Sequence, residues 1–274
     1  MSVPQPSRTA WAAHSPMTLI DSAQCEANVC GRSRVVDGVL KPSSGTRWIT
    51  RADYGKQDFV VEEGFLSAAD CGRLADAFRT VHPQTADRKV ASDFWDGRIV
   101  FMDEVAAHAA ETAAVMAEVQ RRAAARLSGF YALTRPLYAD SVQLNVWKRG
   151  SHMPPHTDNA YHDGGPHESH WRDFSSIVYL NDDYQGGQLY FTALDKVLRP
   201  KAGMLVAFSA GHHHEHGVLK VRSGTRLTMP AFYTFDASRA YGHVHPELQA
   251  AAALDAAVGS MADSTGARLG RLLA

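Results

Sequence analysis

The spacing of apolar residues changes partway along the chain. In SAADCGRLADAFRTV, Ser67 to Val81, positions Leu74, Ala77 and Phe78 share one helical face. Ser67 and Asp70 stand at the spacing of an N-terminal capping pair, with Asp a weaker partner than Glu. Val105, Ala109, Val115, Met116, Val119 and Ala123 make a second stripe, which predicts a helix from Glu104 to about Leu127. From Ser141 the period becomes two. In SVQLNVW, Val142, Leu144 and Val146 take one face, and Gln143, Asn145 and Trp147 take the other. FVVEEGFL (59–66), GMLVAF (203–208), HGVLKV (216–221) and TRLTMPAFYTF (225–235) also read as strands. SSIVYLNDDYQGGQLYFT (175–192) reads as strand, turn and strand, with Gly186 and Gly187 in the turn. Pro230 predicts a sheet edge or a bulge, and Glu62–Glu63 a solvated face.

Strands following two helices predict a mainly β fold, a sandwich or jelly roll braced by N-terminal helices. Residues 1–46 have no sustained period and read as an extension, residues 47–245 as the domain, and residues 246–274 as a terminal helix. The chain has 274 residues, 45% of them hydrophobic, enough for a sizeable core. Its net charge of -1 gives no broad attraction to nucleic acid or an anionic membrane. Cys25, Cys30 and Cys71 are an odd set without a CxxC pair, which fits a reducing, cytoplasmic compartment. No signal-peptide pattern and no apolar run long enough to span a bilayer are present. The sequence leaves the oligomeric state open, a homodimer included.

The stretch MPPHTDNAYHDGG, Met153 to Gly165, offers little to bury. On a strand, residues i and i+2 face the same way, so His156 and Asp158 present an imidazole and a carboxylate together. A catalytic metal needs a third ligand. The candidate is His216, which begins a strand and is held by its pairing, whereas His212, His213 and His214 fall in a loop. That loop reads as solvated, or as touching substrate or an adventitious metal. Two His and one carboxylate with open positions is the ligand set of non-haem Fe(II) oxygenases. Arg226 lies ten residues beyond His216 and shares a strand face with Thr228. Its guanidinium suits a dicarboxylate that chelates the metal at one end and is anchored at the other.

PPHTDN, RDFSSIVYLNDDYQGGQLYFT, LVAFSAG and HGVLKVRSGTR resemble the prolyl hydroxylase branch of the Fe(II)/2-oxoglutarate dioxygenases, and especially the catalytic domain of the prolyl 3-hydroxylases, the leprecan group. The resemblance runs closely from Gln143 to Phe235 and more loosely from Phe59. It implies a double-stranded β-helix, with His156, Asp158 and His216 on Fe(II), and with Arg226 on the distal carboxylate of 2-oxoglutarate. It implies O2 as co-reactant and ascorbate as reductant. It places the Ser175 hydroxyl near the cosubstrate, with Tyr179 on the same strand face. Related halogenases lack the carboxylate, so Asp158 favours hydroxylation or a related oxidation. The chain departs from the pattern at Met153, where many prolyl 4-hydroxylases carry tyrosine, and at Phe232, where relatives often carry tryptophan.

Gln143 and Asn145 read either as buried, hydrogen-bonded polar residues or, with Thr228, as lining of the cosubstrate pocket. Trp95 and Arg98, and His170, Trp171 and Arg172, are candidate substrate contacts; Trp95 reads equally as core, and Arg98 as a partner of Asp96 or Asp103. The expected substrate is an amino acid, a prolyl residue or a similar small metabolite, free or in a peptide. Three other readings stand beside this one: a jelly-roll binding protein without turnover, a zinc hydrolase, and a nucleic-acid demethylase. The last usually carries a second arginine where this chain has Phe232.

Overall fold

The computed structural model describes residues 33–85, 93–161 and 163–240; the expected terminal helix and most of the expected extension lie outside them. Residues 34–41, read as extension, pair as a hairpin of β1 (Arg34–Val36) and β2 (Val39–Lys41). Val35 and Leu40 pack there on Tyr190, Val197 and Leu219.

Two sheets form the body. One runs β4 (Val60–Glu62), β11 (Leu205–Ser209), β8 (Phe174–Tyr179), β13 (Arg226–Thr234), β6 (Tyr138–Trp147) and β5 (Ile99–Phe101). The other runs β3 (Arg47–Ile49), β10 (Lys196–Leu198), β9 (Leu189–Phe191), β12 (His216–Val218) and β7 (Met153–His156). The six-stranded sheet alternates as the period of two requires. Val142, Leu144, Val146, Val178 and Met229 face the helices. On the opposite face, Tyr179, Val206 and Phe208 meet Leu189, Phe191 and Leu198 of the second sheet.

Helix α1 (Ala68–Thr85) buries Leu74, Ala77, Phe78 and Val81. The Asp70 N–H donates to Ser67 Oγ at 3.1 Å and the Ser67 hydroxyl donates to Asp70 Oδ2 at 2.7 Å, so the capping pair forms. Each fully buried leucine of this layer contributes about 1.5–3 kcal/mol.

The single helix expected from Glu104 is two, α2 (Met102–His108) and α3 (Ala110–Phe130), broken at Ala109 with φ -153° and ψ 78°. No glycine or proline signals that break. Pro230 lies on a central strand, paired with Ile177, and the bulge falls between Ala231 and Tyr233 on the β6 side; a sheet edge is excluded. HGVLKV is a strand only to Val218, because beyond it successive N–H groups turn to Gln188, Gly38 and Ser151. Glu62 and Glu63 are half-buried and paired rather than solvated, Glu62 with Arg126 at 2.7 Å and Glu63 with the Tyr54 hydroxyl at 3.0 Å. No helix among the described residues is long and apolar enough to cross a membrane.

Candidate metal centre

His156 ends β7 and His216 begins β12, and the two are direct partners across that antiparallel pair. Their rings stand 4.5 Å apart between centroids. Gly217 allows the strands to approach: a Cβ there would lie 2.7 Å from the Met153 carbonyl oxygen. Asp158 sits past the end of β7 rather than on the strand with His156. Its N–H donates to the Ala210 carbonyl at 3.0 Å, and its carboxylate accepts the Ser175 hydroxyl at 2.5 Å. The expected convergence of His156 and Asp158 is therefore met by a turn, not by strand alternation.

The three side chains face a common point. His156 Nε2 lies 3.6 Å from Asp158 Oδ1, and His216 Nε2 lies 3.9 Å from Asp158 Oδ2. Each imidazole is oriented through its other nitrogen: Nδ1 of His156 is 3.1 Å from the Pro154 carbonyl, and Nδ1 of His216 is 3.0 Å from the His214 carbonyl. Those contacts place the ring proton on Nδ1 and turn the Nε2 lone pairs inward. Burial, with His156 beside it, lowers the His216 pKa to about 4, so the ring is a neutral ligand at pH 7. Burial works to raise the Asp158 pKa, but His216, His156, Ser175 and Arg172 together bring it below the usual range.

Among the described residues, Arg226 is the largest fully buried side chain, 1% exposed. Its guanidinium lies 5.2 Å from the Trp147 ring centroid and 5.1 Å from that of Tyr179. Nε and Nη2 have no hydrogen-bond partner, and neither do the hydroxyls of Tyr179 and Tyr184. Burial pushes both hydroxyl pKa values up, keeping them as donors. Leaving a guanidinium buried without an anion costs several kcal/mol, so this cluster is built for an anionic group. Gly187, at φ +65°, makes room: a Cβ there would stand 2.9 Å from Arg226 Cδ.

Asn145, Thr228 and Tyr179 lie opposite one another across β6, β13 and β8, and Arg226 lies opposite Trp147. Gln143 donates to Asn145 Oδ1 at 3.0 Å, so part of their hydrogen-bonding capacity is spent within the pair. Trp147 Nε1 donates to Thr228 Oγ1 at 3.4 Å. The Ser175 hydroxyl, expected near the cosubstrate, donates to the Asp158 carboxylate.

The remaining expected residues divide. Trp95 stands edge-on to Trp147, ring centroids 5.4 Å apart, in a cluster with Phe94, Met153, Val218 and Val221. The Arg98 guanidinium lies 4.5 Å over the Phe94 ring, with Nη1 buried and unpartnered. Asp140 accepts from Trp171 Nε1 at 3.3 Å and from Arg172 Nε at 3.0 Å. Arg172 also covers the Phe232 ring at 3.5 Å, and Phe232 lies opposite Ser175, so Arg172 is brought to the carboxylate end of the centre. His170 is exposed, its Nδ1 3.1 Å from the His167 carbonyl. Tyr184, Gly187 and Asp140 were not legible as site residues. Tyr184 stood in YLNDDYQGG without a spacing to assign it, and Trp147 was visible only as a member of the polar face of β6.

Residues 142–234 match the family model described as the 2OG-Fe(II) oxygenase superfamily. Among curated relatives, the chain is 35% identical over 108 residues to prolyl 3-hydroxylase 3 of Homo sapiens, covering 38% of this chain and 13% of that protein. It is 32% identical over 114 residues to prolyl 3-hydroxylase 2 of Homo sapiens, covering 38% of this chain and 14% of that one. The chain thus spans about an eighth to a seventh of the length of these relatives. Among solved structures, the viral collagen prolyl hydroxylase vCPH from Paramecium Bursaria Chlorella virus-1, in complex with 2OG, superposes with a TM-score of 0.50 at 18% identity, over 66% of this chain and 97% of that chain. A 2OG-Fe(II) oxygenase family oxidoreductase from Burkholderia pseudomallei gives 0.50 at 15% identity, over 72% and 99%. At these identities the two structures speak to the fold, a jelly roll.

Proposed function

Since residues 142–234 are a 2OG-Fe(II) oxygenase domain homologous to the prolyl 3-hydroxylases, we propose that this protein hydroxylates an unactivated C–H of proline, a prolyl residue or a related amino-acid substrate. For each turnover, one 2-oxoglutarate and one O2 become succinate and CO2, and one oxygen atom enters the substrate. O2 is the oxidant; bound ferrous iron and 2-oxoglutarate would supply the electrons that activate it, and ascorbate would serve as the reductant that returns iron to the ferrous state.

The residues present fit both groups. His156 Nε2, His216 Nε2 and the Asp158 carboxylate would hold iron, with their Nδ1 and Ser175 contacts fixing the donor atoms beforehand. Arg226, with the Tyr179 and Tyr184 hydroxyls, would take the distal carboxylate of 2-oxoglutarate. Trp147 covers the guanidinium, and Trp95 and Phe94 pack against Trp147. Asp140 holds Trp171 and Arg172, and the latter offers its charge to a substrate beside the metal.

The observation that carries this reading is the buried guanidinium with unpartnered nitrogens. A metal-binding protein without turnover gives no reason for it, whereas a dicarboxylate cosubstrate satisfies it. The test is a substrate screen with Fe(II), 2-oxoglutarate and ascorbate. It begins with free proline, pipecolate and short proline peptides, and reads succinate together with a mass gain of one oxygen. Coupled appearance of both is expected. No succinate with any substrate would favour a binding protein.

A further inference from the structure

A second group of metal-ligating side chains lies behind the first. Asp58, just before β4, faces the turn His212–His214 between β11 and β12. His213 Nε2 is 2.5 Å from Asp58 Oδ2, and His214 Nε2 is 4.0 Å from the same oxygen. The three ligand atoms all lie within 4.8 Å of one another. His214 was expected in a solvated loop, yet it is 2% exposed. Its Nδ1 is engaged by the Ser209 hydroxyl at 2.7 Å, while its Nε2 is buried with no hydrogen-bond partner.

We propose that Asp58 Oδ2, His213 Nε2 and His214 Nε2 bind a divalent cation of the zinc class at a site separate from His156, Asp158 and His216. A hydrogen bond between His213 and Asp58 accounts for two of the three groups and leaves the buried His214 nitrogen unsatisfied. A cation among the three satisfies all of them. Ligand bonds of about 2.0–2.1 Å in a tetrahedron put donor atoms roughly 3.3 Å apart, and the observed 2.5 and 4.0 Å bracket that value. Two imidazoles and one carboxylate oxygen suit zinc, and the side chains of His213 and Asp58, 60% and 40% exposed, leave an entry path and room for a water as fourth ligand. Lys196 contacts the other carboxylate oxygen, Oδ1, at 3.5 Å, so Asp58 coordinates through Oδ2 alone.

The two centres are close but distinct. Phe208 packs against both rings, 6.0 Å from that of His214 and 4.6 Å from that of His216. Phe191 likewise lies 6.0 Å from His214 and 6.2 Å from His216. The His214 carbonyl is the partner of His216 Nδ1. A cation on the turn therefore also steadies a ligand of the first centre, as a positioning element.

The experiment uses untagged full-length protein in which His156→Ala and Asp158→Ala remove the first centre. After chelation and exchange, zinc uptake is measured by elemental analysis, and Co(II) substitution is read in the visible spectrum. One equivalent of zinc and a four-coordinate Co(II) spectrum are expected. Adding His213→Ala, or separately Asp58→Asn, removes both signals and the zinc-dependent rise in Tm. His213 is exposed, so its loss leaves the fold intact, which a thermal melt without metal verifies. Failure of the double variant to take up a stoichiometric equivalent overturns the site, and so does uptake that survives His213→Ala.

Discussion

Ser175 on β8 donates its hydroxyl to Asp158 Oδ2 at 2.5 Å, tying a carboxylate that follows β7 to a strand of the opposite sheet. The bond leaves the carboxylate charged and aimed at the two imidazoles. Partners of this kind are worth about 10- to 100-fold in metal affinity. Ser175→Ala should weaken Fe(II) binding by that factor in an anaerobic titration, and Ser175→Thr should restore most of it. A raised 2-oxoglutarate KM at unchanged iron affinity would instead return the hydroxyl to the cosubstrate.

Arg226→Ala separates the two ends of the site. Truncating one member of a buried, hydrogen-bonded charge pair costs about 2–5 kcal/mol, so the 2-oxoglutarate KM should rise about 30-fold or more while Fe(II) binding is kept. Arg226→Lys should rescue little, because an ammonium cannot present two parallel donors to a carboxylate. An unchanged 2-oxoglutarate KM would place the anchor elsewhere.

Gly187 tests the packing beneath that anchor. Its φ of +65° costs a residue with a Cβ about 1–2 kcal/mol, and the new Cβ would stand 2.9 Å from Arg226 Cδ. Gly187→Ala should lower Tm by a few degrees and raise the 2-oxoglutarate KM, with metal affinity unaltered. A variant with lower Tm and normal KM would show that the guanidinium accommodates the methyl group.

Tyr54 gives an alkaline prediction at a residue that is not among the candidate ligands. Burial first, and then its hydrogen bond to Glu63, push its pKa up to about 12, against about 10 in an unfolded chain. The folded state holds this proton more tightly, so its stabilising contribution is complete below pH 10 and is lost as pH rises through 12. Wild-type stability should fall more steeply over that window than that of Tyr54→Phe. Parallel pH curves would contradict the assignment.

Legibility followed locality. The two faces of β6 and the cap at Ser67 could be read because their signals lie within one element. The break at Ala109 could not, since both flanking turns are good helix and alanine carries no stop signal. His156, Asp158, His216 and Arg226 were visible through spacing and resemblance, but the cross-strand partnership of His156 with His216 depends on a pairing sixty residues distant. Asp158 reached its place by a turn that alternation does not foresee. Tyr184 joined the anion cluster only because the Gly186–Gly187 turn carries the chain between sheets, from β8 to β9. The burial of His214 could not be read, because a histidine run looks solvated until Ser209 and Phe208 pack against it.

The central claim is that one metal binds at His156, Asp158 and His216 while the far end of a dicarboxylate bound with it is held by Arg226. A crystal structure grown without O2, with Mn(II) in place of iron and with 2-oxoglutarate, tests it most directly. The account predicts density for the cation on His156 Nε2, His216 Nε2 and the Asp158 carboxylate, with the distal carboxylate on the Arg226 guanidinium. A cation shared by other residues, or a cosubstrate whose far end leaves Arg226 unpaired, would contradict it.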